Sequence, residues 1–251
     1  MDTRSFAPIS PAPGMPLYRA VKRALLRAIE DGTLAPGATL PSETPLAAAF
    51  GVSVGTLRQA VGELVAEHIL LRRQGRGTFV ATHSSERFLF QFFHVERGDG
   101  LREVPSVELL AFERGRLDDE AAEALGQRAG DAAWLVENRL LLQGRAVVHD
   151  RLLLPLALFK GLTERRFRTR PGTIYRLYQD DFGITVLRVQ ERARAVAASH
   201  AVSRVLGVAP GTPMLQLRRT ALSFGDRQVE YRVSTVHTAL HDYVQTLSPP
   251  V

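Results

Sequence analysis

The chain has 251 residues, 45% hydrophobic and 23% charged, enough for one large or two ordinary globular domains with a sizeable core. A net charge of +6 and a pI near 10.2 suit a polyanionic partner, and arginine carries almost all of that charge, since Lys22 and Lys160 are the only lysines. The absence of cysteine excludes disulfides, thiolate metal ligands and a cysteine nucleophile. With no segment resembling a signal peptide and no long apolar run, a soluble cytoplasmic protein without a membrane partner is expected.

In chain order, residues 1–14 carry Pro8, Pro11 and Pro13 and read as a mobile tail. Leu17, Val21, Leu25 and Ile29 recur at helical spacing and predict an amphipathic helix ending near Gly32. Arg19, Lys22, Arg23 and Arg27 fall on or near its solvated face. Residues 33–39 are a turn-rich connector. Ser42 is a natural N-cap for a helix with Glu43 and Pro45 in its first turn and Gly51 as its left-handed end. Ser53 then caps a second helix. Its Val54, Leu57, Val61 and Leu64 should face a core, while Gly55, Arg58, Gln59 and Gly62 form the opposite side.

A two-helix hairpin alone is a common structural element. The segment after it is less common: Arg72-Arg73-Gln74-Gly75-Arg76-Gly77, then Thr78-Phe79-Val80. The glycines let a hairpin turn and approach a surface closely. The three arginines match phosphates or base edges in a groove. Together they predict a winged helix-turn-helix over residues 15–81. Its candidate DNA-contacting residues are Ser42, Thr44, Ser53, Val54, Gly55, Thr56, Arg58 and Gln59, with Arg72, Arg73, Gln74, Gly75, Arg76, Gly77 and Thr78 in the wing.

Residues 82–87 are short and polar and read as a linker. Beyond them comes a repeat: Leu125-Gly126, Gly130, Gly144, Val148 and Arg151 recur 81 residues later as Leu206-Gly207, Gly211, Gly225, Val229 and Arg232. Each copy reads β-α-β-β. The expected result is one antiparallel sheet with helices on one side. Between the copies, residues 155–170 look loop-rich and residues 173–182 helical.

Several motifs also resemble a known family. Gly32-Thr33-Leu34-Ala35-Pro36-Gly37, Leu40-Pro41-Ser42-Glu43, Gly51-Val52-Ser53, Thr56-Leu57-Arg58-Gln59-Ala60 and Gln74 to Val80 resemble the winged-helix domain of GntR-type transcriptional regulators. Val54 stands where that family usually has an arginine, and Thr44 where many members carry a longer polar residue. Residues 88–247 resemble the UTRA effector domain of the HutC branch. The residues that carry this are Asp150 to Pro155, Phe159-Lys160-Gly161-Leu162, Thr173 to Tyr178, Gly211-Thr212-Pro213 and Val229-Glu230-Tyr231.

The resemblance implies an α+β protein of two domains, the second a chorismate-lyase-like antiparallel sheet with helices. It also implies a homodimer that binds double-stranded operator DNA and a small-molecule effector, and no cofactor. The ligand candidates are Arg139, Asp150 and Arg151, charges inside apolar strands that fit either a solvent face or a pocket. Thr173, Tyr175 and Glu230 match family pocket positions. His94 and Arg102 are candidates to complete the site, and both also fit exposed loops. Leu141 and Asp150 replace an arginine and a glutamate of the family. No nucleophile elbow, P-loop or paired-carboxylate pattern is present, and no histidine pair with metal-site spacing lies on a clear helix. No catalytic or metal site is therefore assigned. A ligand-released repressor is the expectation; an activator of the same family, or a lyase on the shared fold, are the alternatives.

Overall fold

A computed structural model describes residues 6–83, 89 and 91–245. Residues 84–87 of the expected linker lie outside them. The chain forms two compact units, residues 1–82 and 83–251.

In the first unit, α1 (Leu17–Glu30) buries Val21, Leu25, Ala28 and Ile29. Lys22 is not part of a free basic face: its ammonium bonds to Glu63 (2.8 Å) and Glu67 on and just beyond α3 (Val54–Ala66). α2 (Glu43–Phe50) ends at Gly51, whose φ of 69° requires a residue without a Cβ penalty. Ser53 caps α3, its Oγ accepting from the Thr56 amide at 3.1 Å, whereas Ser42 makes no side-chain cap bond. β1 (Leu70–Arg73) and β2 (Gly77–Val80) form the wing. Residues 38–40 run along β2 with bonds Leu40 N–H to Thr78 O (2.8 Å) and Val80 N–H to Ala38 O (2.9 Å). The described part of the N-terminal segment touches α2: Ile9 N–H donates to Phe50 O at 2.9 Å, and Phe6 packs edge-on against Phe50.

The second unit is built on a six-stranded antiparallel sheet in the order β4-β5-β6-β9-β8-β7. Its strands are β4 (Ser106–Arg116), β5 (Ala132–Leu142), β6 (Arg145–Pro155), β7 (Arg188–Ala197), β8 (Pro213–Leu222) and β9 (Gln228–Val236). The two β-α-β-β copies therefore meet at β6 and β9 about a local two-fold axis. Their helices, α4 (Asp119–Leu125) and α7 (His200–Leu206), are capped alike by Asp118 and Ser199 and end alike at left-handed Gly126 and Gly207. A small ladder, β3 (Val95–Arg97) with β10 (His241–Tyr243), completes the unit.

The helices are not confined to one side. α4 and α7 cover one face, where Leu125 and Leu206 anchor separate apolar clusters. α5 (Glu164–Arg168) and α6 (Ile174–Phe182) cover the other, packing Phe167, Tyr175, Leu177 and Tyr178 on Val136, Leu152, Leu217 and Val236. The connector between the repeats supplies this second layer, which the repeat pattern alone does not reveal. A sheet with apolar side chains on both faces needs both layers.

The repeat also slips by one residue. Val147 and Val229 each bulge out of the pairing, between Leu140↔Val148 and Leu141↔Ala146, and between Ala221↔Glu230 and Leu222↔Gln228. Counted from the bulges, Asp150 rather than Arg151 is the counterpart of Arg232. A one-residue slip moves a side chain to the other face of a sheet.

Candidate nucleic-acid interface and ligand cavity

α3 turns Leu57, Ala60, Val61 and Leu64 inward and leaves Gly55, Arg58, Gln59 and Gly62 exposed. Val54 and Thr56 are half-buried at its start, with the exposed Ser42, Thr44 and Ser53 around the turn. The Arg58 guanidinium is held by Glu43, Nε to Oε2 2.6 Å, across to the first turn of α2. In the wing, residues 72–77 are all exposed and Thr78 is half-buried. Gly75 (φ 68°) and Gly77 (φ 102°) make the tip, closed by a bond from Arg76 N–H to Arg73 O at 3.0 Å. Arg73 lies over the Phe79 ring at 5.3 Å, which stiffens the base of that side chain. Exposed arginines on a glycine tip can make charge-assisted bonds to phosphate oxygens or enter a groove.

In the second unit, buried polar groups gather on the sheet face covered by α6. Asn138 (β5), Asp150 (β6) and Arg232 (β9) share this face, and Thr173 caps α6 above them, its Oγ1 accepting from Arg176 N–H at 3.3 Å. With Arg170, Ile174, Leu140, Val107 and Pro105 they line a cavity of about 50 Å³. Arg232 Nη1 donates to Asp150 Oδ2 (3.2 Å), and its Nε and Nη2 donate to Glu230 Oε1 (2.9 Å) and Oε2 (3.0 Å). Glu230 is fully buried and also accepts from Tyr175 OH (3.3 Å) and Tyr178 OH (2.5 Å).

Burial, with the Glu230 carboxylate adding to it, pushes the Tyr175 phenol up to about 12 and Tyr178 up as well. Burial opposes the charge on Arg232, but Glu230 and Asp150 hold its guanidinium well above the usual range. Burial lowers Arg170, which donates to Phe167 O and stacks on the Phe167 ring at 4.6 Å. Among the described residues no carboxylate lies within ion-pair distance of Arg170. Three buried atoms around this one cavity have no hydrogen-bond partner among the described residues: Asn138 Oδ1, Asp150 Oδ1 and Arg170 Nε. Buried polar atoms are nearly always satisfied, so this grouping calls for a polar partner there, ordered water or a ligand.

Residues 100–242 match the UTRA domain family, and residues 17–80 match the gntR family of bacterial regulatory proteins. The chain belongs to the GntR regulators that carry a UTRA domain. It is 28% identical over 233 residues to the mannosyl-D-glycerate transport/metabolism system repressor MngR of Escherichia coli, covering 92% of this chain and 95% of the relative. It is 28% identical over 209 residues to the HTH-type transcriptional repressor NagR of Bacillus subtilis, covering 82% and 84%. Among solved structures, the ligand-binding domain of a GntR-family regulator from Bordetella bronchiseptica aligns with a TM-score of 0.61 at 31% identity, covering 63% of this chain and 99% of that domain. The chain is thus a DNA-binding, ligand-responsive repressor of transcription.

Within the UTRA domain the structure brings together four of the ligand candidates, Asp150, Thr173, Tyr175 and Glu230, with Tyr175 and Glu230 forming the wall behind Arg232. His94 borders a smaller adjoining void with Asp150, Arg219 and Arg232; burial lowers its pKa, and its ring packs on Tyr243 at 5.7 Å. Arg102 ion-pairs with Glu96 and lines neither space.

Arg139 and Arg151 depart from the expectation. Both project from the opposite face of the sheet, Arg139 to Glu108 and Val205 O (3.3 Å), Arg151 to Glu137 (3.5 Å). They line a separate open groove of about 670 Å³ beside α7. Arg139 and Asp150 do not converge. The cations of the cavity are Arg232 and Arg170, and Asn138 is a further polar group; sequence reasoning misses all three as ligand candidates. Arg232 is visible as a repeat match, but the bulge hides its true counterpart. Arg170 sits in an irregular segment where no periodicity marks it.

Proposed function

We propose that this repressor acts in the cytoplasm as a homodimer on a palindromic operator. It leaves that operator when a small metabolite carrying both a hydrogen-bond donor, such as an amine, and a carboxylate enters the cavity beneath α6. The three partnerless atoms carry this reading. Asn138 Oδ1 and Asp150 Oδ1 accept, so the ligand presents donors to them; Arg170 Nε donates, so the ligand presents an acceptor there. Arg232 already has its charge met by Asp150 and Glu230, which among the described residues leaves Arg170 as the cation for a ligand anion and disfavours a multiply charged phosphate. Relatives are named for mannosyl-D-glycerate, fructoselysine and histidine utilisation, and each of these compounds combines a carboxylate with hydroxyl or amine donors.

On the DNA side, two-fold symmetry matches two recognition helices to two half-sites, with each wing at the adjacent minor groove. Arg58 and Gln59 carry base readout, because Val54 contributes none by hydrogen bond. Arg73 and Arg76 contact the backbone or minor groove. The effector acts by binding the operator-incompetent state more tightly; a hundredfold effect on operator affinity needs about 2.7 kcal/mol of coupling.

The test is thermal unfolding of the full chain with fructoselysine, mannosyl-D-glycerate, L-histidine and glucose 6-phosphate, followed through Trp134, the single tryptophan. Stabilisation by a carboxylate compound that also bears donors, lost on esterifying the carboxylate, supports the reading. Stabilisation by the sugar phosphate alone contradicts it.

A further inference from the structure

His83 directly follows the winged unit in sequence, yet it is 2% exposed within the second unit. Three parts of the residue are held. Its Nε2 accepts from Val186 N–H at 3.1 Å, which makes the ring neutral with its proton on Nδ1. Its own amide donates to Gln179 Oε1 at 3.3 Å, and its carbonyl accepts from Thr173 Oγ1 at 3.5 Å. The ring meets Tyr175 edge-on, centroids 5.8 Å apart. Thr173, Tyr175 and Gln179 are the cap, the first turn and the middle of α6, so His83 is fastened along that helix.

The same helix forms the roof of the ligand cavity. Thr173 and Ile174 line it. Tyr175 bonds to Glu230, Glu230 to Arg232, and Arg232 to Asp150, which lines the cavity and whose second oxygen has no partner among the described residues. A continuous chain of contacts therefore runs from the orphaned Asp150 oxygen to the residue where the two units join. The contacts at the His83 end are long, 3.3 and 3.5 Å, so a displacement of α6 by a few tenths of an ångström would break them.

We propose that His83 is a positioning residue that transmits occupancy of the cavity to the segment connecting the two units. A ligand that pulls the Asp150–Arg232 pair, or the cap of α6, changes how firmly His83 is held, and with it the anchorage of that segment. Such coupling requires a physical element whose arrangement both sites bias, and the α6 cap is that element. The inference rests on reading the cavity as the effector site.

The experiment needs no effector. Asp150→Asn serves as the cavity perturbation, and Asn138→Ser as a second one that alters no charge. Hydrogen exchange is measured on the full chain for peptides covering residues 82–92 and 173–186, in wild type, His83→Ala and His83→Gln. The glutamine amide oxygen can take the place of Nε2 as acceptor. In wild type, at least one cavity variant should speed exchange in residues 82–92 by about tenfold, the worth of one net hydrogen bond. In His83→Ala exchange there should already be fast and the cavity variant should add nothing. His83→Gln should restore both the protection and the response. Trp134 unfolding confirms that each variant is folded, and His83→Gln stands in if His83→Ala is not. Two results overturn the proposal: neither cavity variant changes exchange in residues 82–92, or the change is equal with and without His83. Failure of the effector-site reading shows separately, as a cavity that gives no ligand stabilisation while this coupling persists.

Discussion

Replacing Arg232 with methionine removes the one cation standing between two buried carboxylates. Asp150 is 2% exposed and Glu230 fully buried, and both lose their strongest partner. Tyr175 and Tyr178 still donate to Glu230, but among the described residues no second cation stands within ion-pair distance of Asp150. Breaking one side of a buried pair costs roughly 3–5 kcal/mol, mostly the penalty of the stranded charge. The methionine keeps most of the apolar stem volume, so little of this is cavity formation.

Trp134 makes the measurement specific to the second unit: it stacks on Phe112 at 4.8 Å and donates to Phe159 O at 3.3 Å. With a urea m-value of about 2 kcal/mol/M, the tryptophan-detected midpoint should fall by about 2 M. Adding Asp150→Asn to Arg232→Met should recover part of the loss, because it neutralises the stranded charge. A fall below about 0.5 M, or no recovery in the double variant, would refute the view that this pair is a desolvated structural link.

Two other outcomes follow from the same geometry. Arg73→Ala with Arg76→Ala should weaken operator binding and lower the salt slope of binding by about two; an unchanged slope in filter binding from low to moderate salt removes the wing from the interface. For Tyr175, the folded phenol titrates near 12 against an unfolded value of 10, so its stabilisation is complete below pH 10 and lost as pH rises to 12. That amounts to about 2.7 kcal/mol at most, and Tyr175→Phe should lessen the alkaline loss of stability seen through Trp134; an identical alkaline profile counts against it.

The winged unit is readable in the sequence because its cues are local. Gly51 and the tip glycines are demanded by left-handed backbone geometry at single positions, Ser53 by its capping bond to the Thr56 amide, and the inward residues of α3 obey helical spacing. Lys22 escapes such reading because nothing local shows that Glu63 and Glu67 sit opposite it. The sheet is readable through its repeat, and the two capped helices ending at Gly126 and Gly207 fall where expected.

The cavity is only half readable. Asp150, Thr173, Tyr175 and Glu230 are in place, but which strand residues share a face depends on counting past the bulges at Val147 and Val229. Without the bulge at Val147, Arg139 would share the face of Asp150; with it, Arg139 turns to the opposite face and Arg232 is the arginine beside Asp150. Arg170 contributes through an irregular segment, and its burial arises only from tertiary packing.

Under the proposed function, Arg170 binds an acceptor group of the effector and that contact drives release of the operator. The direct measurement is fluorescence anisotropy of a labelled operator, obtained by selection from randomised sites, titrated with the compound that best stabilises Trp134. Wild type and Arg170→Gln are compared by the concentration that half-releases the operator. A charge-assisted bond in a desolvated site is worth roughly 1.5–3 kcal/mol, so Arg170→Gln should require about ten to a hundred times more compound. Half-release at the same concentration in both proteins would contradict the account.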